Sequence, residues 1–286
     1  MKKVLIICIT TLLGLSSCGE YTALQKSTDF EYRYEAAKAY FVDGHYTRSA
    51  TLLSDLIAYM KGTSSGEESL YLLAQSEYNR KDYETASSYF KKYYQSYPKG
   101  IYVEQARYYS ALSLYNMTPD PRLDQTSTVD AMAEFQNFLD LYPHTLLREQ
   151  TQDMLMKLQD KLVLKEYMAA KLYYDLGDYV GNSTPTSTGS NYEAAIVTAQ
   201  NALKDYPYAE PFRREELSIL MLRSKFHLAR KSVEEKQVDR YRDAIDEYYA
   251  FANDFPESKY LKEAKKMFGQ AEAIVKHKHI DLTKEE

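Results

Sequence analysis

The 286-residue chain has no tryptophan and only two cysteines, Cys8 and Cys18. At most one disulfide is available, which excludes a disulfide-built scaffold. Glycine (10) and proline (8) are scarce once the stretch from Gly181 to Ser190 is set aside, so little interrupts helices elsewhere. There is no basic excess either. The formal charge is −5, and a mildly acidic surface does not attract phosphate backbones, so no nucleic-acid partner is expected. What the sequence does have is tyrosine, 29 of them.

The N-terminus reads as an address. Lys2 and Lys3 precede an apolar run from Val4 to Leu15, broken only by Thr10, Thr11 and Gly14. About a dozen residues cannot span a hydrocarbon layer that takes about 20. The run ends in Leu15-Ser16-Ser17-Cys18-Gly19. This is similar to the bacterial lipobox, a resemblance that implies cleavage after residue 17 and acylation of Cys18. An ordinary secretory signal with a chance cysteine is the bland alternative. Cleavage removes Cys8 with the signal and leaves Cys18 alone. It also takes Lys+Arg from 36 to 34 against 41 Asp+Glu, a balance of −7. The remaining 269 or so residues must then be stabilised by their core.

Self-similarity organises the rest. Tyr34-Glu-Ala-Ala37, Tyr71-Leu-Leu-Ala74 and Tyr108-Tyr-Ser-Ala111 share Tyr-x-x-Ala, with the alanines 37 residues apart; Tyr167-Met-Ala-Ala170 repeats it. An aromatic follows each alanine by four residues: Phe41, Tyr78, Tyr115 and Tyr174. Downstream, Ala86, Ala131, Ala195 and Ala244 each precede a proline by twelve residues, at Pro98, Pro143, Pro207 and Pro256. Tyr97, Tyr142, Tyr206 and Phe255 stand immediately before those prolines. The first repeat is looser, with Ser49 and Lys61 in the alanine and proline places. A small residue on each of two antiparallel helices lets them approach, and proline forces the chain into the next pair. The pattern resembles the tetratricopeptide repeat (TPR). It implies an all-α solenoid of about five TPR-like helical hairpins, each burying its neighbour's apolar face.

Departures from the period locate insertions. Asn116 to Thr128, with Pro119 and Pro121, reads as a loop. Residues 180–191 read as a flexible polar excursion at the turn of repeat four, which Gly177-Asp178 opens. Glu235 to Asp239 is expected to lengthen the turn of repeat five, whose first helix spans roughly Phe212 to Lys231. From Thr145 to Leu176 there is no proline or glycine, and Leu147, Met154, Leu155, Leu158, Leu162 and Tyr167 form a helical stripe. One long helix is therefore expected in the fourth repeat. The divisions are a signal peptide (1–17), a lipidated linker (18–30), repeats 1–3 (31–144), repeats 4–5 (145–275) and a charged tail (276–286).

The segment from Leu162 to Tyr179, followed by Ala194 to Pro207, resembles the corresponding helices of the BamD family, lipoproteins of the outer-membrane β-barrel assembly machinery. Similarity extends over about residues 18 to 275. It implies a non-catalytic, lipid-anchored scaffold at the outer membrane, facing the periplasm. Its C-terminal repeats would hold the periplasmic modules of a BamA-like barrel protein, and its N-terminal repeats would receive unfolded outer-membrane β-barrel proteins. Two other readings are a TPR envelope lipoprotein coordinating cell-wall or division factors and a glycan-binding outer-membrane lipoprotein. The first lacks an N-terminal coiled-coil segment here, and the second lacks room for a ligand domain.

If stacked first helices form a groove, Tyr34, Tyr71, Gln75, Asn79 and Tyr108 are its candidate lining. Tyrosine offers apolar area and a hydroxyl at low rotamer cost. Inter-repeat packing is the alternative role for each. Arg213 and Arg214 are candidates for an acidic partner surface, or simply a solvated helix start. No cofactor other than the lipid on Cys18, and no metal, is expected. His277 and His279 fall in the charged tail, and His45, His144 and His227 stand isolated. Glu215-Glu216 and Glu234-Glu235 diverge by about 100° on a helix, so they form no acid–base couple. No phosphate loop, nucleophile elbow or His-Glu-x-x-His appears.

Overall fold

The computed structural model describes residues 21–177 and 190–282. The signal run, Cys18 and most of the 180–191 excursion lie outside the described residues. Among the described residues there is no strand, and consecutive helices from Phe30 to Leu141, and again from Asn191 to Leu282, pack against one another as the repeat pattern demands. The chain divides into two compact units, and the division passes through one helix between Thr151 and Gln152.

The first unit contains α1 (Phe30–Val42), α2 (Tyr46–Leu56), α3 (Ser64–Asn79), α4 (Tyr83–Ser96), α5 (Val103–Met117), α6 (Thr126–Leu141) and the first residues of α7 (Arg148–Asp175). The second takes the loop 119–125 and the remainder of α7, then α8 (Asn191–Asp205), α9 (Pro211–Lys231), α10 (Glu234–Asp254) and α11 (Leu261–Leu282). At 28 residues, α7 is about 42 Å long and is the long helix expected in repeat four.

Every alanine of the pattern is inside. Ala37, Ala74, Ala86, Ala111, Ala131, Ala170 and Ala195 are fully buried, Ala244 is 2% exposed, and Ser49 takes the alanine place in α2 with no exposure. Small residues bring the helices close enough for hydroxyls to meet: Ser76 Oγ donates to Ser49 Oγ at 3.3 Å, and the Ser87 and Ser110 Oγ atoms are 3.3 Å apart. Around these contacts Leu52, Leu53, Leu56 and Leu73 are removed from water, each contributing about 1.5–3 kcal/mol.

Two turn designs recur. The aromatic before each proline is the last residue held by its helix. Tyr97, Tyr206 and Phe255 have φ between −131° and −123° and ψ between 63° and 66°. With Tyr142, each donates its N–H to the carbonyl four residues back. Proline excludes the helical conformation from the residue before it, so all four helices stop there. The other turn, between the helices of a pair, is a left-handed cap. Gly44 N–H donates to Phe41 O and His45 N–H to Tyr40 O; Lys81 and Asp82 make the same two bonds to Tyr78 and Glu77.

Several expectations are corrected. Residues 235–239 do not lengthen a turn; they add the opening turn to α10, which starts directly after Ser232-Val233. Glu234 and Glu235 there face the positive helix end. Gly177 stands in the turn where it was expected, and glycine is needed there because a side chain would collide with the Tyr192 ring. Asp178 lies outside the described residues. Helix α11, which the repeat pattern did not delimit, runs through the expected tail as far as Leu282 and closes the core of α9 and α10 with Ala264, Met267 and Ala271. From the expected linker, residues 21–25 form a helical turn whose Leu24 is buried against Leu52, Leu53 and Leu56. The loop expected between repeat-three helices is present at residues 118–125. Gln125 Nε2 holds it by donating to Asp120 O and Leu123 O, and Lys165 Nζ of α7 donates to Leu123 O at 3.1 Å.

Candidate functional site

Tyr34, Tyr71 and Tyr108 occupy one register, a repeat apart, yet meet three environments. Tyr34 is 3% exposed; its hydroxyl donates to the Glu68 carboxylate, and Lys38 Nζ lies 4.4 Å from its ring centre. Burial, then the bond to Glu68, hold its pKa well above the usual phenol value. Tyr71 is half-buried and stacks on Tyr102 with centroids 4.3 Å apart, and Gln75 Nε2 donates to its hydroxyl at 2.9 Å. Asn79, exposed, donates to the Gln75 carbonyl. Tyr71, Gln75 and Asn79 therefore form one hydrogen-bonded row along α3. Tyr108 is 4% exposed, wedged against Phe135 and Phe138, and its buried hydroxyl meets no hydrogen-bond partner. Burial pushes its pKa up to about 12.

Of the five, Tyr108 alone lines the largest concavity described, about 860 Å³ within the first unit. Tyr78 of α3 and Gln105, Tyr108, Tyr109 and Leu112 of α5 form one side; residues 141–147 and Gln150 form the other. The second side exists because Pro143 ends α6 and the chain turns before α7. Thr145 Oγ1 donates to Glu104 Oε1 at 2.6 Å, and Arg148 donates from Nε and Nη2 to Pro143 O. That turn pushes Leu141 (55% exposed) and Leu146 (101%) into solvent at the rim. The result is a tyrosine- and leucine-walled hollow whose polar lining is amide side chains, Thr145, His144 and Glu104, with no lysine or arginine.

Sequence reasoning missed Tyr78, Tyr109, Leu141 and Leu146 here. Tyr78 was visible only as the aromatic four residues after Ala74. The remaining signal was the pair of leucines flanking the helix-ending Pro143, where periodicity has no meaning.

In the second unit, Arg213 is largely committed to its own fold. Its guanidinium pairs with Glu216 at 2.7 Å and Asp160 at 3.8 Å and lies over Tyr167 and Phe212. Arg214 donates to the Pro207 carbonyl at 2.6 Å. Beside them Tyr208 (89%) and Phe212 (51%) are exposed. Among the described residues no cluster of three His, Cys, Asp or Glu side chains is placed to hold a metal, and no helix is long and apolar enough to cross a membrane.

Two comparisons bear on this architecture. Residues 27–183 match the model of a family described as YfiO, outer membrane lipoprotein. Over 257 residues the chain is 23% identical to a putative outer membrane protein assembly factor BamD of Aquifex aeolicus (strain VF5), covering 89% of this chain and 77% of that protein. The family match spans more than half of the chain, through the hairpins that build the tyrosine hollow and into α7, and the chain belongs to the YfiO (BamD-like) family of outer membrane lipoproteins.

Proposed function

We propose that this protein is a non-catalytic lipoprotein scaffold of β-barrel assembly, anchored by Cys18 in the outer membrane and facing the periplasm. It binds a BamA-like barrel protein through that protein's periplasmic modules and receives unfolded outer-membrane proteins. The observation that carries the substrate role is the hollow at α3, α5 and the Pro143 turn. Unfolded barrel strands alternate apolar and polar side chains. A hollow with tyrosine and leucine walls and exposed Gln105 and Gln150 amides offers both kinds of contact. Tyr71, Gln75 and Asn79 extend a polar row on α3, and Tyr34 belongs to the same register. An exposed Tyr208 and Phe212 together with Arg214 supply the aromatic and arginine composition of a protein interface, with Arg213 holding the helix start behind them, and we assign the barrel partner to that side.

Affinity isolation from detergent-solubilised membranes tests the reading. Co-purification of a large barrel protein bearing periplasmic modules, with loss of barrel proteins from the outer membrane on depletion, supports it. Recovery of only a cell-wall hydrolase or division factors, with barrel content unchanged, removes it.

A further inference from the structure

The described chain starts at one particular end of the first hairpin. The Tyr21 hydroxyl donates to the Arg48 carbonyl at 3.4 Å, and its ring meets Tyr40 edge-on at 5.6 Å. The Arg48 guanidinium lies 5.1 Å from the Tyr21 ring and 5.4 Å from the Tyr40 ring. Leu24, 7% exposed, fixes the segment in the core. From there the chain runs to the opposite end of the hairpin, where Phe30 stacks on Tyr59 at 4.5 Å, before α1 returns to Tyr40. Helix α1 has 13 residues, so the two ends are about 18–20 Å apart.

Cys18 is three residues from Tyr21, and three residues of chain reach at most about 11 Å. A lipid on Cys18 therefore brings the Tyr21 end to the bilayer, not the Phe30 end. The side chains at that end suit the place. Phe41 and Tyr46 meet edge-on at 5.5 Å, His45 packs on Tyr40 at 6.0 Å, and Val42 is 83% exposed. Among the described residues Arg48 enters no ion pair, and Asp43 is the one carboxylate on the turn. Amphipathic rings with a cation among them are the composition that settles at the headgroup level.

We propose that the α1–α2 turn, with Tyr21, Tyr40, Val42, His45 and Arg48, is a lipid-contact surface that seats the first hairpin end-on against the membrane. The proposal rests on the reading of Cys18 as the acylated residue. Lipidated full-length protein carrying Val42→Cys, and separately Lys61→Cys at the far end, is labelled with an NBD fluorophore. Both positions are exposed, and acylation leaves no other free thiol. Each variant is reconstituted into phosphatidylethanolamine–phosphatidylglycerol vesicles and floated. The expected result is a blue shift and at least roughly twofold weaker iodide quenching at position 42, as for a group seated about 5–10 Å into the interface, with position 61 behaving as in water. Protein that floats while position 42 stays as quenchable as position 61 overturns the lipid-contact surface and leaves the anchor standing. Protein that does not float at all overturns the anchor, and the proposal with it.

Discussion

Gly44 and Lys81 stand one repeat apart and adopt the same left-handed backbone, with φ of 76° and 64°. Both terminate the first helix of a pair through the same two carbonyl contacts. The turn, not the residue, is what the fold requires. Lysine in this conformation costs about 1–2 kcal/mol, while glycine costs about 0.5–1 kcal/mol in unfolded-chain entropy. Lys81→Gly is therefore expected to stabilise the first unit by about 0.5–1 kcal/mol, and Gly44→Ala to destabilise it by a similar amount. Urea-unfolding midpoints check both signs.

Packing at the alanine positions gives a sharper contrast. Ala37 and Ala39 lie on the same helix, one fully buried and the other exposed. Ala37→Leu has no space to enter and is expected to cost about 1–3 kcal/mol. Ala39→Leu should leave stability within about 0.5 kcal/mol. Equal effects by thermal unfolding would mean that the period does not mark the helix contacts.

These contacts explain why the fold was so legible. Alanine at Ala74, Ala111 or Ala244 reports a helix crossing, and an aromatic-proline pair such as Tyr206-Pro207 reports where a helix must stop, so both are local consequences of packing. The site was less legible. Tyr34, Tyr71 and Tyr108 share a register, but their surroundings depend on which neighbours happen to face them: Glu68, Gln75 or none. Leu146 is exposed because of a single turn after Pro143, and no repeat rule describes one turn. The direction of residues 235–239, helix instead of loop, depended on where Ser232-Val233 broke the chain.

Tyr108 and Tyr34 should respond differently to loss of the hydroxyl. The Tyr108 hydroxyl has no partner, so Tyr108→Phe removes a buried unpaired group and should leave stability unchanged or raise it by up to about 1 kcal/mol. Tyr34→Phe strips the donor from Glu68 and should cost about 1 kcal/mol or more. With peptides from barrel strands, binding should weaken for Gln105→Ala, whose amide is exposed in the hollow, while Tyr108→Phe should bind as the parent does. Calorimetric unfolding beside peptide titration reads both quantities.

In the second unit Arg223 grips Glu263 with two bonds of 2.7 and 2.6 Å between α9 and α11. The hydrogen bond to Arg223 lowers the Glu263 pKa below its ordinary 4.5. A depressed folded-state value means the contribution is present above the unfolded pKa and is lost as pH falls through the folded one. Glu263→Gln should lower stability at neutral pH and flatten the acid limb below about pH 4.5. Because the pair is partly exposed, the loss at neutral pH should stay within about 1 kcal/mol. Equilibrium unfolding of both forms across pH 3 to 7 (about four units) checks the sign.

The most direct test of the substrate role is photo-crosslinking in living cells from Leu146 at the rim of the hollow. A photoreactive residue at 146 should capture newly exported barrel proteins, and Gln105→Ala in the same chain should reduce the yield. Crosslinks that contain no barrel protein, or a yield indifferent to position 105, would contradict the account.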